Sequence, residues 1–166
     1  MEKSRTENNQ SMHQCTILFR TPLTRAESIV RRPYLMTLLE LAGTLPNGLH
    51  DSEVSELVVS YADRTIRLAI NVWVGGMGNE ASRESYRPGV IMINDFVYCV
   101  MDRPDVNYPY ESARVLTIDV VEPDESVALN GNGEACRLWV SEWNGFIHIR
   151  AGDATLKWLG PEVVRR

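Results

Sequence analysis

The chain has 166 residues, 44% of them hydrophobic and 23% charged, with a formal net charge of −5. That length suits one domain with a core of its own, and charged or turn residues interrupt every apolar run well before the roughly 18 residues that cross a bilayer. The charge is uneven, with six Lys/Arg against three Asp/Glu in residues 1–35 and eleven against nineteen in residues 36–166, so the acidic body is expected to repel nucleic-acid phosphate and to favour basic partners.

Residues 1–14 are polar and are expected to be disordered, as part of a polar extension over residues 1–32. Thr24 and Glu27 have capping-box spacing for a short helix. A second helix is expected over residues 33–42, with Pro33 in its first turn, Leu35, Leu38, Leu39 and Ala42 as an apolar stripe and Gly43 as its stop. Arg31-Arg32-Pro33-Tyr34-Leu35 has twin-arginine character, but Glu40 breaks the apolar region and no small-residue cleavage site follows. A cytoplasmic protein is therefore expected, with Met36 as a candidate start because the organised, acidic part of the chain begins there. Cys15, Cys99 and Cys136 are odd in number and lack C-x-x-C spacing, which suits free thiols rather than disulfides or zinc. No metal or cofactor is implied.

After a turn at Leu45-Pro46-Asn47-Gly48 the apolar period changes to two. Residues 54–61 and 66–74 read as a hairpin, with Ile66, Leu68, Ile70, Val72 and Val74 pointing one way. Residues 76–81 satisfy G-x-G-x-x-A, but the polar stretch that follows ends at Pro88-Gly89 and offers no crossover helix, so a flexible loop is expected. Residues 89–101 read as one central strand buried on both faces, with a bend at Asn94-Asp95. Leu116, Ile118 and Val120 mark another strand, and Asn130-Gly131-Asn132-Gly133 a turn.

A second hairpin joins residues 135–143 and 146–151 through Asn144-Gly145, whose residues tolerate the positive φ of a type I′ turn. A two-residue turn pairs Trp143 with Phe146, Ser141 with His148 and Trp139 with Arg150. One face then carries Leu138, Val140, Ile147 and Ile149; the other carries Trp139, Trp143, Phe146, His148 and Arg150. A last strand, residues 154–159, precedes a polar tail at 161–166. The sum is one mainly β domain over residues 33–160: an antiparallel sheet or sandwich of about seven strands with one N-terminal helix packed on it, the alternative being an α+β roll.

Three places carry candidate chemistry. His50-Asp51-Ser52-Glu53 offers an imidazole, two carboxylates and a hydroxyl, suited to a metal or acid-base site if folding brings His148 near, and equally to a turn cap. The loop bearing Tyr108 and Tyr110 is stiffened by prolines and suits partner contact or packing back onto the sheet. The aromatic face of the second hairpin has the composition of an interface hot spot, unless the stripe of the 33–42 helix covers it.

Leu45-Pro46-Asn47-Gly48-Leu49-His50-Asp51-Ser52-Glu53, followed by the hairpin ending Val72-Trp73-Val74-Gly75, resembles small uncharacterised bacterial proteins in which a GLHDAE or FHDA phrase opens a run of strands. Ser52 stands where that phrase more often has Ala. The phrase is also similar to that of some immunity-type proteins, which neutralise a toxin by binding it. The resemblance spans residues 38–159 and transfers no catalytic residue; the acidic body and the aromatic hairpin face are read as those of a non-catalytic protein-binding module, to which the resemblance adds an immunity-like role. The alternative is a small hydrolase or metal-dependent enzyme using His50, Asp51, Glu53 and His148.

Overall fold

The computed structural model describes residues 35–75, 84–108, 114–126 and 133–165. The expectations for residues 1–34, for the loop at 76–81, for Tyr110 and for residues 130–132 lie outside these. In chain order the elements are α1 (Leu38–Gly43), β1 (Pro46–Leu49), β2 (Ser52–Ser60), β3 (Thr65–Trp73), β4 (Glu84–Asn94), β5 (Tyr98–Met101), β6 (Leu116–Pro123), β7 (Glu134–Val140), a 3₁₀ turn (Ser141–Trp143), β8 (Gly145–Ala151), β9 (Asp153–Trp158) and β10 (Val163–Arg165). Nine of the strands form one open antiparallel sheet in the order β10-β4-β3-β2-β6-β7-β8-β5, with β9 beside β10 along the same edge of β4. The fold is mainly β, as the alternation implied. No helix among the described residues is long and apolar enough to cross a membrane.

Period-two burial builds the core. On β3, Ile66, Leu68, Ile70 and Val72 are each at most 2% exposed, while the residues between them are half-buried. Ile91 and Ile93 of β4, Leu138 and Val140 of β7, and Ile147 and Ile149 of β8 belong to the same cluster. A flat sheet would hold β4 and β8 five strand spacings apart, roughly 24 Å. Gly152 alone joins β8 to β9, the partner of β4, and three residues join β4 to β5, the partner of β8. These links are stitched together, the Gly152 N–H donating to Asn94 O (3.1 Å) and the Val97 N–H to Arg150 O (2.7 Å). The sheet therefore curls, so that its aliphatic face closes on itself and Phe96 fills the corner at 3% exposure.

Several expectations change in the structure. The helix begins at Leu38 because Thr37 and Glu40 form a capping box, the Glu40 N–H donating to Thr37 Oγ1 (3.2 Å) and the Thr37 N–H to Glu40 Oε2 (2.8 Å). Leu35 precedes it and is exposed, Leu41 joins Leu38 and Ala42 in the buried stripe, and the C-cap is Thr44 rather than Gly43. The turn at 45–48 is present, closed by the Gly48 N–H donating to Leu45 O (3.2 Å) with Gly48 at φ +61°, and it overlaps the short strand β1, where Asn47 Nδ2 donates to Gly75 O (2.6 Å). The single strand expected over 89–101 is two strands on different parts of the sheet. Asp95 at φ +52° turns the chain between them, and β4 buries alternate residues rather than both faces. The expected tail contains β10, which pairs with residues 84–86.

Leu68, fully buried at the centre of this face, supplies the direct test of the core. Leu68→Ala is expected to destabilise the fold by about 2–5 kcal/mol, whereas Val58→Ala, at an exposed site, stays within about 0.5 kcal/mol. Urea unfolding of the two variants checks the contrast.

Candidate functional site

The outward face of β6, β7, β8 and β5 gathers the side chains that the inner aliphatic face excludes. Cross-strand pairing sets Trp139 opposite Phe146 and Arg137 opposite His148. The Trp139 and Phe146 rings meet edge to face, 4.8 Å apart at 72°. Arg137 lies over the Phe146 ring at 4.3 Å and pairs with Glu122 on β6, with Nη2 2.6 Å from Oε1. A bulge between Ile118 and Val120 turns Val120 to this outer face opposite Trp139, so that Val120 is exposed rather than aligned with buried Ile118 as the alternation implied.

The hairpin register differs from the one a two-residue turn imposes. Trp139, not Trp143, opposes Phe146; Arg137 opposes His148; Ala135 opposes Arg150; and Leu138, not Glu142, opposes Ile147. The cause is the 3₁₀ turn over Ser141–Trp143, which lengthens the connection before Asn144 takes the left-handed conformation at φ 50°. The slip is four residues, an even number, so every paired side chain keeps its face. Trp143 leaves the sheet face and packs half-buried against the core cluster, and Arg150 shares the outer face but is buried. The apolar stripe of α1 enters the core cluster beside β1, β6 and β9, while Trp139 and Phe146 stay half-buried on the outer face.

At one end of this face His50, Asp119, Val120, Glu122, Trp139 and Phe146 line an open cleft of about 410 Å³. His50 Nδ1 lies 3.0 Å from Asp51 Oδ2 and Nε2 lies 4.0 Å from Asp119 Oδ1, both near the limit of half exposure. The donor atoms of His50, Asp51 and Asp119 lie within 4.8 Å of one another. The rest of the HDSE phrase diverges. Ser52 is buried, with its Oγ accepting the Trp73 N–H at 3.3 Å, and Glu53 accepts from Asn71 Nδ2 at 3.3 Å. His50 and Asp51 pair in the turn before β2, with Asp51 at φ +55°, whereas Ser52 and Glu53 are successive residues of the strand and face opposite ways, so the four do not make one site.

His148 sits elsewhere on the face, bracketed by two carboxylates. Its Nδ1 is 2.7 Å from Asp124 Oδ2 and its Nε2 3.3 Å from Asp102 Oδ1. Asp124 is buried at the end of β6 and also accepts from the Ser126 N–H (3.1 Å) and Ser126 Oγ. Burial works against its charge, but the hydrogen bonds from Ser126 and His148 outweigh it and hold the carboxyl below the usual range. Asp102 in turn accepts the Phe146 N–H at 3.1 Å. Both His148 nitrogens thus face carboxylates, Asp124 and Asp102, whereas His50 faces Asp51 and Asp119.

The loop after β5 is fixed to the hairpin end. The Asp102 N–H donates to Phe146 O (2.8 Å), the Asp105 N–H to Trp143 O (3.2 Å) and Asn144 Nδ2 to Asp105 Oδ2 (3.2 Å). Tyr108 is exposed at its far end. Asp119, Asp102, Asp124, Glu122 and Arg137 are site residues that sequence reading missed, since each meets its partner on another strand or loop, 15 or more positions away along the chain.

No protein-family model, curated protein or solved structure matches this chain.

Two measurements test these environments. Asp124 has a depressed folded pKa, so its contribution is present above the unfolded value of about 4 and disappears as pH falls through the folded value. Asp124→Asn is expected to cost about 1.5–3 kcal/mol at pH 7, and urea melts at lower pH should show the gap to wild type closing. Burial is the largest cause of raising the Cys136 thiol to about 12, so iodoacetamide at pH 8 should leave Cys136 unmodified in the native chain and alkylate it after denaturation, as peptide mass mapping would show.

Proposed function

We propose that this protein is a non-catalytic, cytoplasmic binding module that docks a basic segment of a protein partner across the outer face of β6, β7, β8 and β5, in the manner of immunity-type proteins. The observation that carries this reading is the joint placement of Trp139 and Phe146 with Asp119 and Glu122 around one open cleft. Paired aromatic rings bury large area at little entropic cost, and half-exposed rings rimmed by charge match the composition of binding hot spots. The excess of nineteen Asp/Glu over eleven Lys/Arg in residues 36–166 favours a basic partner and speeds its encounter. The different partners of His50 (Asp51 and Asp119), Glu53 (Asn71) and His148 (Asp124 and Asp102) argue against the hydrolase alternative.

Fluorescence polarisation with labelled peptides of equal length, one rich in Arg and Lys and one rich in Glu, tests the reading. The basic peptide should bind and the acidic one should not. Trp139→Ala should weaken the basic peptide at least tenfold, about 1.4 kcal/mol, while Glu56→Gln, on β2, leaves it within twofold. Equal affinity for Trp139→Ala and wild type, or no binding of the basic peptide, would remove this face as the docking site.

A further inference from the structure

We infer that the cleft between His50 and Trp139 is a receptor for the guanidinium group of an arginine side chain presented by a protein partner, an inference that rests on the docking reading above. A planar cation is held best where an aromatic face supplies stacking and a carboxylate supplies paired acceptor oxygens. The chain grips one of its own arginines in this way. Arg137 lies 4.3 Å over the Phe146 ring while its Nη2 reaches Glu122 Oε1 at 2.6 Å.

Trp139 and Asp119 supply the same two components at the His50 end of the cleft. Their electrostatic states differ from those of the Phe146 end. Glu122 is neutralised by Arg137, whereas the basic neighbour of Asp119 is His50 at 4.0 Å, beyond hydrogen-bond length, and the Asp119 side chain is 39% exposed. Among the described residues no hydrogen bond is made to the Asp119 carboxylate, whose two oxygens match the paired donors of a guanidinium. A volume of about 410 Å³ admits the guanidinium with its aliphatic stem along Val120. A lysine ammonium would meet the same charge but lacks the flat surface to stack on Trp139 and the fork to engage Asp119 twice.

The test uses the full chain labelled with ¹⁵N, following the Trp139 indole resonance, which is identified by its loss in Trp139→Phe. The probes are the Nα-acetyl amides of arginine, lysine and citrulline, the last a neutral isostere of arginine. The arginine derivative should shift the resonance saturably, lysine should bind several-fold more weakly, and citrulline at least tenfold more weakly. Asp119→Asn should weaken arginine at least fivefold with an unchanged thermal midpoint. Citrulline binding as well as arginine, no effect of Asp119→Asn, or no saturable shift would overturn the arginine receptor. If the basic peptide still binds through Trp139 while the arginine amide does not, the receptor falls and the docking reading stands; if neither binds, both fall.

Discussion

Alternation of side chains across a curled sheet, interrupted at the bulges of β2 and β6, is the constraint from which the rest of the molecule follows. Because the one-residue link at Gly152 and the three-residue link from β4 to β5 tie distant strands corner to corner, the sheet bends and one face becomes interior. The buried centre of that face is aliphatic, with Ile66, Leu68, Ile91, Leu138, Ile147 and Ile149, while Arg87 and Trp158 take its margin beside Val72 and Gly89. The rings and charges of β7 and β8 are left on the opposite side, where Trp139, Phe146, Arg137 and His148 meet across the strands.

That division was legible in the sequence because it needs parity alone. Ile66 to Val72 and the even residues of β7 show it without any knowledge of pairing. The register of the second hairpin is not legible, because Asn144-Gly145 implies a two-residue turn whereas the chain spends Ser141–Trp143 on a 3₁₀ turn first. An even slip preserved the faces and moved Trp143 off them. The break at Asn94-Asp95 marks the bend within residues 89–101, but the hydrophobicity on both sides of it does not show that Asp95, at φ +52°, redirects the chain from one part of the sheet to another. Thr37 and Glu40 did carry a readable capping box, which the proline at position 33 obscured.

The polar features of the outer face depend on long-range placement. Asp102 and Asp124 approach His148 from the loop after β5 and the end of β6, and together they fasten that loop and the strand end to β8. The β6 bulge turns Val120 outward and leaves Asp119 beside His50 at the cleft. Such an arrangement is buried and hydrogen-bonded at Asp124 and open at Asp119. A preformed surface of this kind loses little entropy on docking, which suits the binding role proposed for it.

The whole reading turns on which tryptophan faces Phe146. Nuclear Overhauser contacts across β7 and β8 measure this directly: the account requires contacts from the Trp139 indole to the Phe146 ring and from Arg137 to His148. Contacts from Trp143 to Phe146, with Trp139 moved opposite Arg150, would dissolve the cleft and contradict it.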